Sequence, residues 1–132
     1  MVALVWAGAA AAQQYPARPV RMVVGFAAGG ATDISARVLA QKLSETIGQQ
    51  VVVENRPGAG STLASELVAR GTPDGYTLLF ANATVAMPSL FANLSFDVRR
   101  DLAPVSLVGY GPLVIVVHPS LPVKTAKELV AL

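Results

Sequence analysis

Three short stretches of this 132-residue chain combine glycine or asparagine with small hydrogen-bonding side chains: Gly29-Gly30-Ala31-Thr32-Asp33, Gly58-Ala59-Gly60-Ser61-Thr62 and Asn82-Ala83-Thr84. Each lies between an apolar run and a helical pattern. A turn of this kind leaves unpaired backbone N–H groups and the positive end of a helix dipole facing whatever binds, which favours a small anion by about 0.3 to 1 kcal/mol per exposed terminus. Glycine lets the backbone approach closely, and Thr32, Ser61, Thr62, Asn82 and Thr84 add short donors. The chemistry predicted is a cradle for a small anion, built from dipoles more than from full charges.

Sharper motifs fall short. Gly25 to Thr32 has the outer glycines and the threonine of a phosphate-binding P-loop, but Ala31 stands where the lysine belongs. Gly58-Ala59-Gly60 opens a dinucleotide fingerprint, but Leu63 occupies the third glycine position. With no cysteine and a single histidine, His118, thiol nucleophiles and Cys- or His-rich metal sites are excluded, and there is no GxSxG elbow. No cofactor and no metal are expected. Thr32 or Asp33 reads first as the N-cap of a helix, and Asp33 second as the partner of a ligand donor group. Arg56 reads as a solvated cation or a steering charge, and His118 as a surface or satisfied histidine. The alternative function is a doubly wound enzyme acting on a small anionic metabolite, which needs a base near these loops.

The elements that must position the loops follow from periodicity. Val20 to Gly25 predicts a strand. From Ile34 the apolar residues Val38, Leu39, Leu43 and Ile47 keep a one-sided helical rhythm that ends at Gly48, a C-cap. Val51 to Val53 predicts a second strand, and Leu63, Leu67 and Val68 a second helix capped by Ser61 or Thr62. After the turn Pro73-Asp74-Gly75 comes a third strand, Tyr76 to Phe80, then a short irregular helix around Ser89 to Ala92. Apolar strands alternating with helices imply a parallel sheet covered on both faces, with all three loops along its carboxyl edge. Beyond Asp97 the pattern changes: Val105 to Val108 and Leu113 to Val117 read as strands without an intervening helix, and a helix begins at Thr125.

Composition bounds the rest. The chain is 53% apolar and 14% charged, with a net charge of +2, which excludes a disordered tail. Neither a nucleic-acid partner nor stable membrane insertion after leader removal is expected, since no apolar stretch of about 20 residues follows residue 17. Met1 to Ala12 holds eleven apolar residues and one glycine and reads as the apolar core of a secretory signal peptide lacking its basic region.

The run Tyr15-Pro16-Ala17-Arg18-Pro19-Val20-Arg21-Met22-Val23-Val24, with Phe26-Ala27-Ala28-Gly29-Gly30-Ala31-Thr32-Asp33 after it, resembles the opening of the extracytoplasmic solute receptors of tripartite tricarboxylate transporters, the Bug receptors. Val51-Val52-Val53-Glu54-Asn55-Arg56-Pro57-Gly58-Ala59-Gly60, Pro73-Asp74-Gly75-Tyr76-Thr77-Leu78-Leu79 and Leu102-Ala103-Pro104-Val105-Ser106-Leu107-Val108 resemble its later landmarks in order. The resemblance implies a type II periplasmic-binding-protein α/β fold of two lobes, a periplasmic location, no enzymatic activity, a small carboxylate solute and a membrane permease as partner. It also implies a half-site made of Phe26, Gly29, Gly30, Thr32 and Asp33, then Gly60, Ser61 and Thr62, then Asn82, Ala83 and Thr84. Ser61-Thr62-Leu63 departs from the Gly-Asn-Ile that many members carry. The expected division is a partial signal peptide over 1–14, a first lobe over 15–102, and crossover strands with the start of a second lobe over 103–132. At about half the length of a two-lobe protein, the chain reads as an amino-terminal fragment.

Overall fold

A computed structural model describes residues 14–91, 93–111 and 114–132; the expected signal peptide over 1–14 lies outside them except for Gln14. Three parallel strands form one sheet: β1 (Val20–Val24), β2 (Val51–Asn55) and β3 (Thr77–Phe80), in the order β2-β1-β3. The register is level at the carboxyl edge, where Val24 stands opposite both Asn55 and Phe80. The loops after the three strands therefore leave from one rim, as the alternating pattern predicts.

Helix α1 (Ala31–Ile47) returns the chain from β1 to β2. Its small residues Ala36 and Ala40 are buried against Val20, Met22, Val24 and Val51, and Leu39, Leu43 and Ile47 pack around that cluster. Alanine on this face lets the helix axis approach the β-branched sheet surface closely, which is why β1 is almost entirely enclosed. Gly48, with φ of 70°, closes α1 in the left-handed conformation that its lack of a Cβ permits. Helix α2 (Thr62–Ala69) packs on β1 and β3 and buries Ala64 and Ser65 completely. It covers the face on which Val23 is fully buried. Both faces of β1 are thus covered, the arrangement expected of a parallel strand.

At the opposite rim the amino-terminal segment is clasped to the turn before β3. The Tyr15 hydroxyl donates to the Gly75 carbonyl at 2.7 Å, the Ala17 N–H donates to the Tyr76 hydroxyl at 2.9 Å, and the Arg18 guanidinium lies 4.1 Å from the Tyr76 ring centroid. Arg18 also pairs with Asp74 at 2.9 Å.

Several expectations are corrected. The N-cap of α1 is Gly30, not Thr32 or Asp33, so the helix starts earlier than the apolar rhythm indicates. The short irregular helix expected around Ser89 to Ala92 is present as a 3-10 turn over Pro88–Leu90, starting earlier and preceded by another over Ala83–Ala86; Ala92 lies outside the described residues. Residues 105–108 and 114–117 form no strand, and Leu113 lies outside the described residues. A strand requires a hydrogen-bonded neighbour, and among the described residues these runs have none, so Val105, Leu107 and Val116 remain more than four-fifths exposed. The expected helix at Thr125 is present as Ala126–Val130, with the Thr125 hydroxyl accepting from the Glu128 N–H at 3.2 Å.

Candidate functional site

The three loops meet at the carboxyl rim, and each treats its backbone donors differently. The first loop, Gly25 to Gly30, leads into α1, whose first turn has no side-chain cap, so its leading N–H groups remain for an external acceptor. Gly29 has φ of 82°, a conformation that suits glycine, and a Cβ there would meet nothing within 4 Å. The space over this loop is open, and Gly29 and Gly30 are both exposed. The Phe26 ring packs against the core.

Asp33 is almost completely buried, and both its oxygens are engaged inside the protein. Oδ2 accepts from the Gly29 N–H at 2.8 Å and from Arg37 Nε at 2.9 Å, while Oδ1 accepts from Asn55 Nδ2 at 2.8 Å. The hydrogen bond from Arg37, with those from Gly29 and Asn55, lowers its pKa from 3.8 to about 2. Asp33 sits at the third helical position and reaches back to the loop before the helix, an arrangement that a search for a cap at the helix boundary misses.

In the second loop the turn Ala59–Ser61 tightens the entry to α2, and the Ser61 N–H donates to the Gly58 carbonyl at 2.9 Å. Ser61 has φ of 78°, which strains a residue with a side chain. Its hydroxyl is buried against Gly25 and has no hydrogen-bond partner among the described residues. Thr62 donates its hydroxyl back to the Ala59 carbonyl at 2.8 Å. The Phe91 ring stands over Gly60: a Cβ there would lie 3.0 Å from the ring edge. Because Ser61 carries both strain and an unsatisfied hydroxyl, Ser61→Gly is expected to stabilise the fold by about 1 kcal/mol, the relief outweighing the entropy of the added glycine. Urea unfolding checks this, and a destabilised variant contradicts it.

The third loop is capped from within. Asn82 Oδ1 accepts from the Thr84 N–H at 3.2 Å and from the Thr84 hydroxyl, and Ala83 is exposed beside them. The structure thus brings the eleven expected site residues to one rim; neither α1 nor α2 starts with a side-chain cap there, but the Thr62 N–H at the start of α2 is taken by the Ala59 carbonyl. Arg56 turns away from a steering role: it pairs with Glu54, which also binds Arg21, and the Arg21 hydrogen bond, then that of Arg56, holds the Glu54 carboxyl below its usual range. His118 accepts from the Ser120 N–H at 3.3 Å in an exposed turn remote from this rim in sequence. Two groups escape a reading of the sequence. Asn55 ends β2 and binds both Asp33 and the Phe26 carbonyl, and Ala27 presents an exposed backbone without a hydrogen-bonded N–H among the described residues.

Residues 35–132 match the model of the tripartite tricarboxylate transporter family receptor. The chain belongs to this family. It is 44% identical over 123 residues to the protein BugT of Bordetella pertussis, covering 91% of this chain and 38% of that protein. Among solved structures, Rpa4515 of R. palustris with adipate is 34% identical with a TM-score of 0.74, covering 89% of this chain and 40% of that one. MatC from Rhodopseudomonas palustris with bound malate is 41% identical with a TM-score of 0.58, over 66% of this chain and 30% of that one. The chain therefore spans about two-fifths of the length of these relatives. Its α/β fold is shared with these structures, and the family it belongs to is one of transporter receptors.

Proposed function

We propose that this chain forms the first lobe, and half the solute site, of a periplasmic receptor that captures a small carboxylate for a tripartite tricarboxylate-type transporter. The observation that carries the reading is the uncapped start of α1 at the carboxyl rim of a parallel sheet, in a family whose solved members include proteins with adipate and with malate. The first-loop residues Phe26, Gly29, Gly30, Thr32 and Asp33, with Gly60, Ser61, Thr62, Asn82, Ala83 and Thr84, form this lobe's share of the site. Residues 1–14 act as the leader. Residues 103–132 lead towards a second lobe, whose strands supply the partners that 105–108 and 114–117 lack among the described residues. The solute passes from the receptor to a membrane permease.

An enzymatic role is less well supported, because the carboxylate of the first loop is already held by three protein donors at 2.8 to 2.9 Å and is poorly placed to take a proton. Among the described residues no helix is long and apolar enough to cross a membrane.

The test is calorimetric titration of the protein made from its complete coding sequence against malate, adipate, succinate and citrate. Saturable binding of at least one is expected, with much weaker binding by residues 15–132 alone, since two lobes closing on a solute exclude water from it. Absence of heat with all four for the complete protein overturns the reading.

A further inference from the structure

Asn55 is the last residue of β2, level with Val24 at the end of β1, and the second loop begins directly after it. Asparagine is disfavoured within strands, and here its side chain makes no use of the sheet. Every polar position it has is directed at the first loop and the helix that follows. Nδ2 donates to the Phe26 carbonyl at 3.0 Å and to Asp33 Oδ1 at 2.8 Å, and Oδ1 accepts from Arg37 at 3.1 Å. Arg37 in turn donates to Asp33 Oδ2, which holds the Gly29 N–H. The three side chains form a closed ring, and the ring holds the glycine loop at both ends: the Phe26 carbonyl at its start and the Gly29 N–H near its close.

We propose that Asn55 is a positioning residue of the site, one that fixes which way the first loop's backbone donors face. In a planar trans peptide the carbonyl and the N–H of the next residue point in opposite directions. With the Phe26 carbonyl turned inward to Asn55, the Ala27 N–H faces outward to the open side, where Ala27 is exposed and its N–H has no acceptor among the described residues. The Gly29 N–H is drawn inward to Asp33 and the Gly30 N–H turns back to the Ala27 carbonyl at 3.4 Å, so the donors at the close of the loop serve the protein while that of Ala27 faces the solute side. The next residue, Arg56, opens the second loop, and its N–H donates to the Val24 carbonyl at 2.8 Å, which ties the height of the first loop to that of the second. The solute-facing part of this assignment rests on the receptor reading above; the orientation of the loop does not.

The experiment compares wild type, Asn55→Ala, Asn55→Asp and Arg37→Ala in the protein made from its complete coding sequence. Asn55→Asp keeps the shape and removes both N–H donors, and Arg37→Ala removes the exposed member of the ring, so that at least one variant folds. Hydrogen exchange is read at Ala27 and Gly29 without solute. Both Asn55 variants are expected to speed exchange at Gly29 about tenfold while the amides of β1 stay protected, and Arg37→Ala is expected to do so to a smaller extent. Affinity for malate or adipate, whichever binds wild type, is expected to fall about tenfold with unchanged protection of β1. Unchanged exchange at Gly29, or a uniform rise over loop and sheet alike, overturns the positioning role whether or not a carboxylate binds. If local exchange rises while neither solute binds wild type, the loop assignment stands and the receptor reading fails instead.

Discussion

Replacing Gly25 with alanine is expected to destabilise the protein by roughly 3 kcal/mol, the upper end of ordinary overpacking costs. Gly25 is buried where β1 gives way to the first loop, and a Cβ there would stand 1.8 Å from the Ser61 Oγ, 2.6 Å from its Cβ and 2.9 Å from its Cα. The Ser61 main chain is already strained at φ of 78° and braced by the Ser61 N–H to Gly58 hydrogen bond, so it has little freedom to retreat. A double variant, Gly25→Ala with Ser61→Gly, removes the two nearest obstacles and is expected to recover about half of the loss, since the main chain at position 61 still stands in the way. Urea unfolding of both singles and the double gives the coupling. A loss below about 1 kcal/mol for Gly25→Ala, or strict additivity in the double, shows that the two loops do not pack as described.

Asp33 carries the second large effect. Asp33→Ala leaves Asn55, Arg37 and the Gly29 N–H without their shared acceptor and is expected to cost more stability than any other removal of a single polar side chain among the described residues. Its acid signature is more specific. The Arg37 hydrogen bond, aided by those from Gly29 and Asn55, depresses the folded-state pKa from 3.8 to about 2. A depressed carboxyl contributes stability that is complete above the unfolded value and disappears as pH falls from about 4 to about 2. Asp33→Asn is therefore expected to be less stable than wild type at pH 7, and to lose less of its stability than wild type does across that window. Glu54 and Asp101 are also held low, by Arg21 and Arg100 first, so the difference between variant and wild type isolates the Asp33 part of the slope. Equal slopes from pH 4 to 2 contradict the assignment.

These two residues also explain how much of the site is legible in the chain. The glycines and hydroxyls of the three loops stand out because turns and helix starts have strong local preferences. Asp33 is visible as a residue near a helix start, but a cap assignment places it one boundary away from its role, since Gly30 is the N-cap and Asp33 reaches back from the third helical position. Asn55 stands in plain view at a strand end, and nothing local marks it: its partners Phe26, Asp33 and Arg37 are 18 to 29 residues away in sequence.

The amino-acid sequence by itself determined the order of strands and helices from β1 to β3, the parallel sheet, the C-cap at Gly48 and the placing of three loops on one rim. These follow from periodicity and turn chemistry, which act over a few residues. It also carried the family, because four ordered blocks of residues are specific in a way no single glycine motif is. Only the tertiary structure decided which donors stay free. That α1 starts uncapped while Asn82 caps its own turn, that Arg56 is taken by Glu54, and that residues 105–108 and 114–117 form no strand all depend on what stands opposite in space. Hydrogen-bond capacity is satisfied by whichever partner the fold delivers, and a chain read in one dimension shows the groups but not their neighbours.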